Sequence, residues 1–89
     1  MKYYIASIEE QIGERENWTS VVLSASSERI ALEKLDKTCQ FWLDEEEGGQ
    51  KLADGEWEFD GGGSIVTIGS MREIPLDHYH VLKEYLYVC

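Results

Sequence analysis

From Ser26 to Leu43 the apolar residues return every three or four positions. At about 100° per residue, Ala31, Leu32, Leu35, Cys39, Trp42 and Leu43 fall within a sector of roughly 120°. Arg29, Glu33, Asp36 and Gln40 lie opposite. This predicts one amphipathic helix, capped by Ser26 or Ser27, with Glu28 in the first turn, where the dipole favours an acid. A helix with one apolar stripe has to lie on an apolar surface. A chain of 89 residues has room for one such core and one domain, spanning 1–89.

The segments that flank the helix supply that surface as strands. Residues 2–12 hold Tyr3, Tyr4, Ile5 and Ile8, which are good β formers. Gly13 to Asn17 reads as a turn. Trp18 to Ala25 reads as a second strand, with Val21, Leu23 and Ala25 on one face and Trp18, Ser20, Val22 and Ser24 on the other. Beyond the helix, residues 44–55 read as a mobile acidic loop. Glu56-Trp57-Glu58-Phe59-Asp60 then alternates cleanly, with the rings inward and the three acids outward. Gly61-Gly62-Gly63 makes the turn, because glycine accepts positive φ without a steric penalty. Ser64 to about Ile74 is the fourth strand, with Val66 and Ile68 in the core. Asp77 caps a second helix to about Leu86, with Tyr79, Leu82, Tyr85 and Leu86 buried and Leu76 stapled to Val81. The expected fold is therefore α+β in the order ββαββα. Its sheet is four-stranded and antiparallel, with both helices packed on one face.

Charge limits the partners. Eighteen carboxylates oppose eight Lys and Arg residues, for a net charge of −10. Such a chain is repelled by nucleic acid and by anionic membranes and attracted to basic surfaces. Cys39 and Cys89 form no C-x-x-C pair, and two free thiols suit a reducing compartment. The opening residues, with Glu9 and Glu10 close behind Met1, do not read as a signal peptide, and no run approaches about 18 apolar residues. The expected location is the cytoplasm.

Recognised chemistry is sparse. His78 and His80 would stand about 200° apart on a helix and could not share an ion there. The acids Asp54, Glu56, Glu58 and Asp60 resemble a calcium loop only in charge, since Trp57 and Phe59 sit between them as a strand demands. The Gly61–Gly63 run is followed by a strand, so it lacks the helix N-terminus that phosphate loops use. No serine has a nucleophile-elbow context, and no cofactor motif is present. The expectation is a protein that is not an enzyme and carries no cofactor.

Two surface features remain. Between Asp44 and Asp60 lie Asp44, Glu45, Glu46, Glu47, Asp54, Glu56, Glu58 and Asp60, against Lys51 alone, which is seven of the ten excess negative charges. On a strand, alternate carboxylates recur about every 6.7 Å. A nucleic-acid strand carries one charge about every 3.4 Å of axis. The row is thus expected to meet a basic groove built for nucleic acid. The second feature is Ile30 and Phe41, at nearly the same helical angle and away from the core stripe, flanked by Lys34 and Lys37. It offers an alternative: a structural or assembly module, or a homodimer, built through this face.

In its length, net charge, acid clustering from Asp44 through Asp60 and lack of a catalytic constellation, the chain resembles the small acidic single-domain proteins of phages and mobile elements, anti-CRISPR inhibitors among them. The resemblance covers the whole chain as a type and rests on no shared motif. It implies a non-enzymatic inhibitor that binds a basic protein surface, such as a CRISPR effector complex in the host cytoplasm. It would act as a mimic of nucleic acid and touch neither nucleic acid nor membrane.

Overall fold

The computed structural model describes residues 1–89. It is an α+β structure whose strands are β1 (Lys2–Ile12), β2 (Arg15–Ala25), β3 (Gln50–Ala53), β4 (Glu56–Phe59), β5 (Ser64–Ile74) and β6 (Tyr87–Val88). Helix α1 (Glu28–Gln40) joins β2 to β3, and α2 (Leu76–Leu82) joins β5 to β6. The strands form one mixed sheet in the order β3-β4-β5-β1-β2-β6. All neighbours are antiparallel except β2 and β6.

The frame is three long strands. β1 pairs along its whole length with β2, from Lys2 opposite Ala25 to Ile12 opposite Arg15. Gly13, at φ 61°, and Glu14 close that hairpin in two residues. β1 also pairs with β5, and the register slips between Ser7 and Ile8. Gly69 is the extra residue at this bulge. A Cβ there would stand 2.5 Å from Ser7 Oγ and 2.8 Å from Glu9 Oε1, so any larger residue would have to displace those two side chains.

Alternation along the strands makes two faces. Tyr4, Ala6 and Ile8 join Val21, Leu23, Ala25, Trp57, Phe59 and Val66 on one of them, and α1 lies there through Ala31, Leu35 and Cys39. Fully burying a side chain such as Leu35 contributes roughly 1.5–3 kcal/mol. Ser27 caps α1, its hydroxyl accepting from Ile30 N at 3.3 Å. The helix ends at Gln40, earlier than its apolar pattern suggests, and Leu32 and Leu43 at the edge of the stripe are exposed.

The expected four-stranded antiparallel sheet is replaced by a six-stranded mixed one, for local reasons. Ala53 pairs with Glu56 across Asp54-Gly55, with Gly55 at φ 73°. This two-residue turn folds part of the expected 44–55 loop into β3. Asp44 to Glu47 also form a turn, in which Asp44 Oδ1 accepts from the Glu46 and Glu47 amides at 3.1 Å each. At the other end α2 stops at Leu82, and Tyr87–Val88 becomes a strand parallel to Val21–Val22. Pro75 rather than Asp77 occupies its cap position, and Val81 and Tyr85 are exposed instead of packed.

The helices do not share a face. Tyr79 of α2 stacks on Tyr3 at 4.7 Å between ring centroids, and Tyr3 points away from Tyr4 and the α1 core. Both helices connect parallel strands: α1 runs from β2 across to β3, and α2 runs from β5 the other way to β6. Two right-handed crossovers that travel in opposite lateral directions must use opposite faces.

One polar side chain ties the β3–β4 hairpin to α1. Asp36 Oδ1 accepts from Gly55 N at 2.8 Å and from Trp57 Nε1 at 3.0 Å. Replacing Asp36 by Ala removes both acceptors, and hydrogen bonds to a charged group contribute about 1.5–3 kcal/mol. The Asp36→Ala variant is expected to lose stability of that order in urea melts and to shift the Trp57 indole proton resonance. An unchanged midpoint would remove this bond from the fold's supports.

Candidate functional site

β4 has the expected alternation. Trp57 and Phe59 are buried, and Glu56 and Glu58 stand on the opposite face, half-buried beside Thr67 and Ile65. The row does not continue to Asp60. That residue has φ 54° and opens a short 3-10 turn, Asp60–Gly62, so its side chain leaves the strand's two-residue repeat. Gly61 and Gly62, at φ 65° and 96°, carry the reversal into β5.

What the sequence reads as one line of eight acids, the fold sorts into groups. Asp44, Glu47, Glu58 and Asp60 line a single cleft of about 250 Å³ at the end of β4, together with Gly48 and Gln50. The cleft is assembled by close backbone contact. Gly49 N donates to Gln40 O at 2.7 Å, and a Cβ on Gly49 would lie 2.7 Å from Glu58 O and 2.8 Å from the Phe59 ring. A side chain at 49 would push the Asp44–Glu47 turn off β4. Glu46 is exposed beside the cleft, and Glu45 faces a different groove with Thr38, Trp42 and Tyr87. Glu56 lies further along β4, opposite Thr67.

Ion pairs leave most of these charges uncompensated. Lys51 Nζ lies 3.0 Å from Asp54 Oδ1, and this hydrogen bond holds the lysine above its ordinary range. The other ion pairs, Lys2–Glu73 and Arg29–Glu33, are elsewhere. Asp44, Glu45, Glu46, Glu47, Glu56, Glu58 and Asp60 have no lysine or arginine partner. No three carboxylates are grouped to ligate one metal ion. The arrangement can attract cationic groups at its surface.

The second expected patch is taken apart by the fold. Ile30 is half-buried and packs against the core. Phe41 lies one residue past α1, where a Cβ on Gly48 would stand 3.0 Å from its ring. Gly48 thus packs against one side of the phenyl group, which is half-buried and lines a groove with Thr19 and Trp42 on its other side. Lys34 Nζ reaches Ser24 O at 2.6 Å, and Lys37 is exposed in the last turn. Ile30 and Phe41 are therefore both half-buried, not two exposed side chains on an open face.

His78 and His80 are exposed on α2. No helix is long and apolar enough to cross a membrane. Comparison of the chain with protein families, with curated proteins and with solved structures finds no match.

The thiols are shaped by burial. Burial, with Asp36 and Cys89 adding to it, pushes the Cys39 thiol up to about 12. Burial also raises Cys89, opposed by a hydrogen bond with Thr38 and by Lys34. A thiol that keeps its proton in the native state is a poor nucleophile. Cys39 is expected to resist alkylation in the folded protein and to react on unfolding. The native state holds this proton more tightly than the unfolded chain. Its contribution is therefore full below about pH 8.5 and is lost as pH rises towards about 12. Urea midpoints measured from about pH 8.5 upward should fall more steeply for the parent than for Cys39→Ala.

Proposed function

We propose that this protein is a non-enzymatic inhibitor that binds a basic, nucleic-acid-binding protein and occupies the groove meant for nucleic acid. The carrying observation is the cleft of Asp44, Glu47, Glu58 and Asp60, whose walls hold no lysine or arginine. Carboxylates left without internal partners project a field into solvent, and a basic groove is its electrostatic complement. Glu46 adds charge beside the cleft, Glu45 and Glu56 carry unpaired charge outside it, and Asp54, paired with Lys51, contributes less. The net charge of −10 adds long-range attraction to such a partner and repulsion from nucleic acid itself.

The anti-CRISPR type fits this chemistry, because a CRISPR effector holds its nucleic acid in a positively charged channel. The cleft is a cluster, not a periodic row. It imitates local phosphate density more than the spacing of a strand. Association should be fast and should weaken with added salt.

The test measures a labelled DNA duplex on its effector by fluorescence anisotropy. Adding this protein is expected to displace the duplex, less effectively as salt is raised. A Glu58→Lys/Asp60→Lys variant is expected to lose at least a factor of about ten in affinity, which is about 1.4 kcal/mol. The matched control, Asp77→Lys/Glu84→Lys, changes net charge equally and should lose much less. Equal losses in both folded variants would reduce the effect to net charge and end the reading.

A further inference from the structure

We infer that the outer edge of β2 between Glu16 and Ser20 takes up an extended, cationic peptide segment as an added strand. This surface lies on the side of the sheet away from β3 and β4 and does not depend on the acidic cleft.

The edge is identified by its hydrogen bonds. Main-chain groups of alternate residues in a strand point to the same side. Val22 O accepts from Cys89 N at 3.0 Å, and Ser24 O accepts from Lys34 Nζ at 2.6 Å, so the even-numbered residues of β2 face outward. β6 covers them only opposite Val21 and Val22. Glu16 and Trp18 therefore present their N–H and C=O groups with no strand beside them. β2 is eleven residues long, and this stretch carries no proline and no bulge against β1. Such an edge is a template for pairing.

Its two faces ask for different side chains. Thr19 faces the α1 side, where it joins Phe41, Trp42, Glu45 and Tyr87 around a groove of about 390 Å³. Trp42 and Tyr87 meet edge to face at 5.2 Å and form its aromatic wall. A partner residue opposite Thr19 would lower an apolar side chain into it. On the other face Trp18 is 63% exposed, stands directly across from Glu9, and shares a shallow depression with Glu9, Glu16 and Thr67. An open indole flanked by two carboxylates suits a guanidinium or ammonium group, through the ring face and the charges together. The occupant that satisfies both faces alternates basic and apolar residues, which is the period of a strand.

Charge separates this occupant from a second copy of the chain. Each copy carries −10, so two copies that approach each other are repelled by their net charge. A cationic segment meets the same edge with attraction.

The experiment titrates isotope-labelled protein with the peptide Arg-Val-Arg-Leu-Arg-Val, blocked at both ends. Amide shifts are expected at Glu16, Trp18 and Ser20, with shifts of the Trp18 and Trp42 indoles. Hydrogen exchange at the Glu16 and Trp18 amides should slow. Replacing the three arginines of the peptide by glutamate should weaken binding at least tenfold, as should Trp18→Ala, whose side chain is too exposed to be needed for folding. The Glu58→Lys/Asp60→Lys variant should still bind. No shifts at about 1 mM peptide, shifts confined to residues 44–60, exchange that does not slow, or equal affinity for the glutamate peptide would each overturn the inference. So would a dimer in sedimentation that perturbs the same amides without peptide, since it would give the edge to a second copy.

Discussion

The carboxylate of Asp36 adds two directed hydrogen bonds to the apolar contact between α1 and the β3–β4 hairpin. β3 is four exposed residues, and β4 is another four. A hairpin this short has little of its own to keep it in place. Trp57 and Phe59 drive it onto the core by burial, but burial is not directional. The two hydrogen bonds from Gly55 N and Trp57 Nε1 to one oxygen fix its position along α1. Together with the β4–β5 ladder they position what the hairpin carries, including Glu58 and the turn at Asp60 that complete the acidic cleft. A buried indole N–H has to find an acceptor, and Asp36, which the helical wheel sets among the polar residues opposite the stripe, turns out to provide it.

The helix on its core, the β1–β2 hairpin, the alternation of β4 and the span of β5 were legible from periodicity. The extra strands were not, for different reasons. Asp54-Gly55 is a two-residue hairpin signal, and it was masked by the acids around it, which read as a loop. β6 has no sequence signal. Tyr87 and Val88 pair because α2 ends early and the β2 edge is free beside them. The placement of α2 followed from topology, since strand order decides which way a crossover travels. The acids of the cleft could be named from composition, but their grouping could not. It depends on the positive φ at Asp60 and on the close approach at Gly49. Ile30 and Phe41 stood out on a helical wheel because a wheel does not show the turn that folds back against Phe41.

The two edges of the sheet are finished differently. Beyond β4, the chain closes the sheet with a short strand of exposed residues, the 44–48 turn beside it, and a concentration of negative charge. Beyond β2, it adds only two residues of β6 and leaves Glu16 and Trp18 open. One arrangement gathers carboxylates in a cleft, and the other leaves main-chain groups without a strand beside them. The sheet thus presents a fixed electrostatic surface at one side and an unfinished ladder at the other.

The bulge at Gly69 works as a parity switch. Before it, the even-numbered residues Val66 and Ile68 turn towards α1; after it, Met71 turns that way, and Ile74 lies beneath the layer of α2 with Tyr3. In a strand without the insertion, Ile68 and Ile74 would share a side. The inserted residue therefore lets Ile68 and Met71 face the α1 core while Ile74 lies on the opposite face. Without it, every residue of β5 beyond position 69 would exchange its face of the sheet for the other.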